Sequence, residues 1–395
     1  MIFFTMKILI VVPGLHNGGT ITSLKNLLPK LAPKRYQIDV FPINFVGSNY
    51  EAISQYANIL GFANHKKNSS KKSQIKLALL CIIRIVKKLF CFLGIDLSPM
   101  MYKRVANSLQ KNNYDLVIAF QEGQATLLVS LFNNVKKITW VRCDYSRIVT
   151  NTKIKKKSEK VYRNVDKIIC VSNFTKDVFV HIYPDFSDKT IALHNIISDD
   201  AIINKSHERI EEDYLFSSSV FTIVSIGRLD PVKRFEQIPS IASYIKSKGL
   251  PFKWLIIGNG SDKEIISHSI HKNGVEDSVV LLGNRNNPYP YISKADLLVC
   301  TSYSEACPNV INEAKILGTP VVSTDFGSSY EFIDNGINGI ITPIDSIALE
   351  IVKLMTDHML YDKIKTNITS FKYDNNKLLA KLENEILVGD INNIE

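Results

Sequence analysis

The 395-residue sequence lacks the short motifs that mark several common protein functions. Its six cysteines are scattered with no Cys-x-x-Cys pair, so we predict no zinc or redox site and expect reduced thiols in a cytoplasmic protein. No strand-like run is followed by Gly-x-Gly-x-x-Gly with an acidic residue about 20 residues on, which argues against a nicotinamide-dependent oxidoreductase. We find no nucleic-acid-binding motif and no Asp-x-Asp-like loop that would hold a metal ion.

No apolar run is both long enough and free enough of charge to be a convincing membrane span. The strongest candidate, residues 75–95, contains four Lys or Arg side chains, and charges in the middle of a span are costly. We therefore predict an amphipathic, cationic helix over residues 75–93. The apolar start, residues 1–4, is too short for a secretory signal.

The composition is typical of a globular protein with two domains. Apolar residues make up 45% of the chain and charged residues 22%, which suits a folded soluble protein. A chain of 395 residues exceeds what one core ordinarily serves. We predict an N-terminal domain over residues 1–200 and a C-terminal domain over residues 201–375, and we interpret the polar stretch Ser198–Ser219 as a linker.

Charge is distributed unevenly between the two halves. Residues 1–200 hold 29 Lys and Arg against 13 Asp and Glu, whereas the net charge of the whole chain is +10. A basic half favours a nucleic acid, an anionic membrane surface or a phosphorylated substrate as partner, and no motif supports nucleic acid. The cationic helix 75–93 and the lysine run 153–160 predict peripheral attachment to the inner face of the cytoplasmic membrane. The alternative is that these charges only face water.

Short apolar, β-branched runs alternate with helical stretches along the chain, as in parallel strands covered on both faces. We predict strands at residues 7–12, 37–43, 115–120, 136–141, 166–172, 190–195, 221–227, 254–260, 279–284, 296–301, 320–324 and 339–342. The alternation predicts βαβ units in an α/β fold, with two Rossmann-like domains facing each other across a cleft. Ligands of such sheets bind beyond the carboxyl ends of the strands, so the loops after strands are the places to search.

The loop after the first predicted strand contains Gly18 and Gly19, directly before a helix. Glycines at this place let backbone amides approach an anion at the helix N-terminus. A phosphate or sugar contact and a simple tight turn are both compatible with the loop. The apolar face predicted for the helix consists of Ile21, Leu24, Leu27, Leu28 and Leu31.

The second half opens with a strand that ends at Gly227 and is followed by two cations, Arg228 and Lys233. Arg grips a phosphate through two parallel hydrogen bonds, and Lys adds a compact charge. A diphosphate leaving group would use both, although a basic loop by itself is more often simply solvated. The phosphate-binding interpretation of Arg228 and Lys233 therefore depends on the motif that follows.

That motif places two carboxylates, Glu305 and Glu313, on either side of a turn that leads into a helix. Pro308 is well placed to start this helix and Gly318 to cap it. Amides near Asn309 and Val310 would then point at an anion. Two carboxylates eight residues apart suit the two ends of a nucleotide-sugar, whereas a lone Glu in such a place is usually a capping or surface residue.

Polar residues also follow two strands of the first half. Glu122 comes after the strand at residues 115–120, and Arg142 and Asp144 follow the strand at residues 136–141. We expect Arg142 and Asp144 to face the cleft, where they would either recognise an acceptor or pair with each other.

Taken together, Gly227-Arg228-Leu229…Lys233, Glu305-x7-Glu313 and Asp325-Phe326-Gly327 through Asn338-Gly339 resemble the retaining GT-B glycosyltransferases, in particular glycosyltransferase family 4. The resemblance runs from Ser225 to about Pro343, and the first half matches only loosely.

The resemblance implies a role for each matching residue. Arg228 and Lys233 would bind the donor diphosphate, Glu313 the ribose and Glu305 the transferred sugar. Gly227 and the backbone of Asn284 and Arg285 would belong to the same donor site, the latter two at the base.

The first domain departs from the family pattern at the reacting centre. Many members carry a His or Asp there, and we predict Glu122 in that place, with His16 and His194 as competitors. Together with Arg142 and Asp144, His16 is a candidate for acceptor binding. The family also implies a last helix that returns to the first domain, which we predict within residues 376–395 from an apolar stripe at helical spacing.

The resemblance implies transfer of a sugar from a nucleoside-diphosphate donor, which we expect to be UDP-linked. The acceptor would be a lipid-linked or polysaccharide glycan of the cell surface, and anomeric configuration would be retained. No metal and no further cofactor are expected, because cations replace the metal as electrostatic stabilisers. The alternatives are a nucleotide-sugar epimerase built on the same double-Rossmann plan and a non-catalytic nucleotide-sugar-binding protein.

Overall fold

A computed structural model of the chain describes residues 6–16, 18–31, 36–44, 47–61, 98–217 and 219–387. The helix predicted over residues 75–93 lies outside the described residues. The chain divides into two compact units. The first comprises Met1–Val171, Thr175–Ile196 and Leu378–Glu395, and the second comprises Ser172–Phe174 and Ile197–Lys377.

The first unit is built on a seven-stranded parallel sheet in the order β3-β2-β1-β4-β5-β6-β7. Its strands are β1 (Met6–Gly14), β2 (Tyr36–Asn44), β3 (Asn58–Ile59), β4 (Leu116–Ala119), β5 (Lys136–Val141), β6 (Lys167–Cys170) and β7 (Thr190–Ala192). Ile10 in the central β1 pairs with Val40 on one side and Ile118 on the other, and all three are almost completely buried. Both faces of this sheet are therefore covered, as the continuous apolar runs predict.

Helices alternate with these strands at α1 (Gly19–Leu31), α2 (Tyr50–Ser54), α3 (Ser98–Gln110), α4 (Gln124–Val129), α5 (Thr152–Arg163) and α6 (Asn173–Ile182). The apolar face predicted for α1 is confirmed, since its five residues are all buried, together with Ser23. Burial of a leucine side chain contributes roughly 1.5–3 kcal/mol, so this face is a main reason why α1 packs on the sheet.

The second unit contains a six-stranded parallel sheet in the order β10-β9-β8-β11-β12-β13. Its strands are β8 (Phe221–Ile226), β9 (Phe252–Ile257), β10 (Val279–Gly283), β11 (Leu297–Cys300), β12 (Val321–Thr324) and β13 (Ile340–Thr342). Its helices are α7 (Asp199–Ser206), α8 (Ile238–Ser247), α9 (Lys263–Lys272), α10 (Tyr289–Lys294), α11 (Asn309–Ile316), α12 (Ser329–Phe332), α13 (Ile347–Thr356) and α14 (His358–Thr369). The predicted α/β plan is thus present in both units.

The stretch predicted as a linker is an ordered part of the second unit. Residues 199–206 form α7, and a short 3-10 turn follows at Asp213–Leu215. Leu215 and Phe216 pack against the core cluster that contains Leu298 and Ile311. The sequence is polar because most of the segment faces water, whereas a few apolar side chains attach it to the core.

The chain ends, within the described residues, in α15 (Asn375–Leu382), which continues as a π-helical turn, Glu383–Leu387. Leu382, Ile386 and Leu387 are almost completely buried. The segment from Leu378 belongs to the first unit, and Lys167 of β6 donates a hydrogen bond to the carbonyl of Glu385 at 2.5 Å. No helix formed by the described residues is long and apolar enough to cross a membrane.

Candidate active site

The main polar cluster of the second unit lies at the carboxyl ends of β8 and β11. Nζ of Lys233, in the loop after β8, donates to Oε1 of Glu305, in the loop after β11, and the two form an ion pair. Ser302 donates a second hydrogen bond to the same carboxylate oxygen at 2.8 Å. The Lys233 and Glu305 side chains are only 22% and 15% exposed, so little water screens the pair.

The Lys233 loop depends on close backbone packing at two glycines. A Cβ atom on Gly227 would lie 3.3 Å from Cε of Lys233, so glycine lets the lysine side chain fold back over the strand end. A Cβ atom on Gly258, at the end of β9, would lie 1.8 Å from the carbonyl oxygen of Gly227. Gly258 also has φ of +150°, so no other residue fits there.

The ion pair keeps Lys233 charged. Burial has the largest single effect and works against the charged amine, but Glu305, together with Cys300 and Asp230, outweighs burial and raises the pKa of Lys233 above its usual value. Lys233 therefore presents a fixed positive charge near the strand ends, which suits stabilisation of negative charge that develops on a leaving group.

Arg228, the second predicted cation of this loop, points into solvent. Its side chain is 78% exposed, and its Nε donates to Oδ2 of Asp230 at 2.5 Å. Asp230 also accepts a hydrogen bond from the backbone N–H of Lys233 at 3.3 Å, so it shapes the turn between the two cations. Both cations thus have carboxylate partners, and Asp230 is a site residue that sequence reasoning missed.

Glu313 lies in the second turn of α11 and is 8% exposed. Burial raises the pKa of Glu313 to about 7. The predicted ends of this helix are confirmed: Pro308 is its N-cap, and Gly318 follows its end with φ of +73°. A buried carboxyl group with a raised pKa is costly to ionise, which is typical of a group placed for binding or catalysis rather than for stability.

Two residues after Glu313, the same helix buries a lysine that sequence reasoning also missed. Nζ of Lys315 donates to the carbonyl of Phe332 at 2.6 Å and lies 4.0 Å from the ring centroid of Phe371. Burial lowers the pKa of Lys315 to about 8. Lys315 thereby fixes α11, and Glu313 with it, to the end of α12.

The loop predicted to contact the base follows β10. The Arg285 guanidinium pairs with Glu212 and donates from Nε to the Tyr291 hydroxyl at 3.1 Å. Hydrogen bonds from Tyr291 and Arg285 lower the pKa of Glu212. The Arg285 side chain therefore holds the loop in place, while Asn284 is exposed at its tip.

In the first unit, Glu122 lies just beyond the carboxyl end of β4. Its Oε2 accepts a hydrogen bond from the backbone N–H of Arg142 at 2.8 Å. Burial and then the Glu122 carboxylate raise the pKa of the Cys143 thiol. Glu122 and Arg142 are thus brought together, and the carboxylate is anchored to the neighbouring strand end.

The Arg142 guanidinium is held within the first unit. Nε donates to the carbonyl of Phe120 at 2.7 Å, Nη1 donates to Asn195 at 2.8 Å, and the guanidinium carbon lies 4.0 Å from the Phe120 ring centroid. Arg142 and His194 line a cavity of about 20 Å³, which has room for about one water molecule. A sugar does not fit this cavity, which also touches Leu382 of α15.

The remaining candidates of the first unit lie on its surface. His16, Gly18 and Gly19 are exposed at the start of α1, and a Cβ atom at either glycine would meet nothing within 4 Å. Asp144 caps the 3-10 turn Tyr145–Arg147, since its Oδ1 accepts from the N–H and the hydroxyl of Ser146. Like Glu122, these residues follow the carboxyl ends of strands of this sheet, but the hydrogen bonds described above do not join them to Glu122.

Comparison with known proteins supports an enzyme class for this geometry. Residues 206–371 match the model of the family described as Glycosyl transferases group 1. The matched segment lies within the second unit and contains Arg228, Lys233, Glu305 and Glu313.

Two curated relatives are glycosyltransferases by name. One is the N-acetylgalactosamine-N,N'-diacetylbacillosaminyl-diphospho-undecaprenol 4-alpha-N-acetylgalactosaminyltransferase of Campylobacter jejuni, 27% identical over 341 residues, which cover 86% of this chain and 87% of the relative. The other is an uncharacterized glycosyltransferase of Methanocaldococcus jannaschii, 28% identical over 209 residues, and the match spans only half of either protein.

The solved structure of HepE from Anabaena, in complex with UDP and glucose, superimposes with a TM-score of 0.75 at 16% identity, covering 97% of this chain and 99% of HepE. Two parallel sheets with flanking helices and this likeness define a GT-B fold, which confirms the predicted fold class. The second unit matches the family of group 1 glycosyl transferases, and the relatives support a glycosyltransferase.

Proposed function

We propose that the protein is a retaining glycosyltransferase of family 4 that transfers a sugar from a nucleoside-diphosphate donor to a glycan acceptor. The observation that carries the proposal is the ion pair of Lys233 and Glu305 at the strand ends of the unit that matches the family. A fixed cation beside a carboxylate suits a donor whose diphosphate and sugar lie next to each other.

In this proposal the donor spans the strand ends of the second unit. Arg228 and Lys233 bind the diphosphate, and the first-turn amides of α11 at Asn309 and Val310 add N–H donors. Glu313 accepts hydrogen bonds from the ribose, and Glu305 from the transferred sugar. Arg228 pairs with Asp230 and Lys233 with Glu305, so donor phosphates would meet cations that these carboxylates already hold in place.

We further propose that the reaction keeps the anomeric configuration, as the resemblance to the retaining family implies. We also propose that it needs no divalent metal, because Lys233 and Arg228 supply the positive charge that the departing diphosphate requires. Glu122 is proposed near the reacting sugar. The proposed acceptor-binding residues remain His16, Arg142 and Asp144. The guanidinium of Arg142 also donates hydrogen bonds to Phe120 and Asn195.

A lipid-linked or polysaccharide acceptor of cell-surface glycan assembly is proposed from the names of relatives. The Campylobacter jejuni relative is named for transfer onto a diphospho-undecaprenol-linked sugar. HepE was solved with UDP and glucose, which favours a UDP-sugar as donor here. The two curated relatives are both named glycosyltransferases, so an epimerase or a non-catalytic binding protein is not favoured.

The described part of the first unit also supports the proposed attachment to an anionic membrane. Four exposed lysines of α5 lie on one helical face, at spacings of three, four and seven residues: Lys153, Lys156, Lys157 and Lys160. Ile148, just before α5, is 40% exposed. Each lysine near an anionic lipid surface contributes about 1 kcal/mol, so this face would hold the enzyme at the inner leaflet beside a lipid-linked acceptor.

A panel of nucleotide-sugars tests the proposed donor. Ligand at 100 times its dissociation constant stabilises the folded protein by about 2.7 kcal/mol, which a thermal-shift assay detects. We expect a UDP-sugar to raise the melting temperature and, with an acceptor extract, to yield a product whose anomeric proton shows the configuration of the donor. An inverted anomeric centre in the product would contradict the retaining mechanism. If no nucleotide-sugar raises the melting temperature, the proposed function is wrong.

A further inference from the structure

The residue that follows Lys233 has a backbone conformation that residues with side chains rarely adopt. Arg234 has φ of +53°, in the left-handed region. Such conformations persist where the surroundings over-determine them, and they cluster at functional sites. The guanidinium carbon of Arg234 lies 4.4 Å from the centroid of the Tyr303 ring, well within the range of a cation–π contact.

Tyr303 belongs to the loop that carries Glu305, so the contact joins the two loops of the candidate site. Backbone hydrogen bonds run between the same loops: the N–H of Tyr303 donates to the carbonyl of Val232 at 2.7 Å. The hydroxyl of Thr301 donates to the carbonyl of Lys233, also at 2.7 Å. The Arg234–Tyr303 contact therefore lies directly beside the Lys233–Glu305 ion pair.

Neither side chain is needed to fill the core. Tyr303 is 53% exposed, and Arg234 is only half-buried. Among the residues that the structure describes, the Arg234 guanidinium has no hydrogen-bonding or carboxylate partner, and the Tyr303 ring is its close neighbour. The left-handed backbone at Arg234 and the contact of its guanidinium with the exposed Tyr303 ring, which joins two loops of the candidate site, point to a role in the site.

We propose that Arg234 and Tyr303 are a positioning pair that fixes the Lys233 loop against the Glu305 loop. The left-handed turn at Arg234 directs its guanidinium onto Tyr303, and the contact between the two side chains keeps Nζ of Lys233 facing Glu305. This inference rests on the proposed glycosyl transfer, in which Lys233 must meet the leaving diphosphate. A small displacement of such a group costs rate even when binding is retained.

Four single variants and one double variant separate this role from a structural one. Arg234→Gly removes the guanidinium at a φ that glycine adopts without strain, so the protein still folds. Tyr303→Leu removes the ring face, whereas Tyr303→Phe keeps it. Tyr214→Leu is the matched control, since Tyr214 is 80% exposed in the same unit.

We expect kcat to fall about 10-fold in Arg234→Gly and in Tyr303→Leu, which is about 1.4 kcal/mol and within the range of a cation–π contact. The KM for the donor should change less than about 3-fold, because displacement of Lys233 acts mainly on the transition state. Tyr303→Phe should restore kcat, Tyr214→Leu should leave it unchanged, and the double variant Arg234→Gly/Tyr303→Leu should be no slower than the worse single variant.

Wild-type kcat in Arg234→Gly or Tyr303→Leu would overturn the positioning pair while leaving glycosyl transfer intact. A loss in Tyr303→Phe as large as in Tyr303→Leu would also overturn it, because the ring face would then be irrelevant. If the wild-type protein neither binds nor turns over any nucleotide-sugar, the proposed function and this inference fall together, and that result is distinct from the first two.

Discussion

Lys233 and Glu305 lie 72 positions apart in the chain, yet the lysine amine donates directly to the glutamate carboxylate. The pair forms because β8 and β11 are neighbours in a parallel sheet, and the loops after them leave at the same edge. Its charges are largely shielded from water, so each residue holds the other in place.

Lys233→Ala should lower transfer by roughly 10²–10³-fold, the usual cost of deleting one preorganised stabiliser of developing charge. The variant leaves Glu305 without its cation, so some loss of thermal stability is also expected. Steady-state kinetics and a melting curve measure the two effects separately. Lys263→Ala, an exposed lysine of α9, is the control, and a Lys233→Ala enzyme with near-normal turnover would remove Lys233 from the mechanism.

Glu313 should make the stability of the donor-free protein depend on pH. With a pKa of about 7 in the folded state against 4.5 for an unperturbed Glu, only the folded protein holds this proton between those values. The free energy of unfolding should therefore fall as the pH rises through this window, by up to about 3 kcal/mol.

Glu313→Gln removes that ionisation. Denaturant unfolding at pH 5 and pH 8 should show the variant to be more stable than wild type at pH 8, with donor affinity lost. Glu264→Gln, at an exposed position of α9, should follow the wild-type pH dependence. If wild type and Glu313→Gln respond alike to pH, Glu313 is not the titrating group.

The lysine face of α5 should control binding to anionic vesicles. Replacing Lys153, Lys156 and Lys160 by alanine should weaken co-sedimentation by roughly two orders of magnitude at low salt, at about 1 kcal/mol per lysine. Added salt should weaken wild-type binding as well. The control replaces three exposed lysines of the second unit, Lys263, Lys272 and Lys363. If the two triple variants bind anionic vesicles equally, or if wild type binds neutral and anionic vesicles equally, the lysine face of α5 is only a solvated face.

Turnover should persist in the presence of a chelator, because protein cations are proposed to neutralise the diphosphate. The measurement compares transfer rates in EDTA with rates after addition of magnesium or manganese. Activity that vanishes in EDTA and returns with either metal would show that Arg228 and Lys233 do not suffice.

Much of the fold could be predicted because buried parallel strands have a strong sequence signature. All twelve predicted strands are present, with ends that shift by a few residues. Within the part of the chain that the structure describes, the strand that was missed, Asn58–Ile59, is only two residues long and has no apolar run of its own. The predicted linker was misread because α7 is mostly polar, and its attachment depends on side chains such as Phe216 meeting a distant core.

The candidate site could be predicted as a set of residues but not as a set of contacts. Lys233 and Glu305 were both expected, while their ion pair and the role of Asp230 depend on how two loops meet. Arg142 was expected to face the cleft, where it would contact an acceptor or pair with Asp144, yet the structure engages its guanidinium with Asn195 and with the carbonyl and ring of Phe120. Contacts between residues so far apart follow from the register of the strands, which local sequence does not encode.

Arg228 and Lys233 are proposed to bind the diphosphate of a nucleotide-sugar. Isothermal titration calorimetry of UDP and of uridine, on wild type and on Arg228→Ala/Lys233→Ala, tests it most directly. We expect wild type to bind UDP at least about 10-fold more tightly than uridine, equivalent to 1.4 kcal/mol or more for the phosphates. In the double variant this difference should shrink to what the first-turn amides of α11 supply alone, while uridine binding is unchanged. Equal affinity of wild type for UDP and uridine, or an undiminished preference for UDP in the double variant, would contradict it.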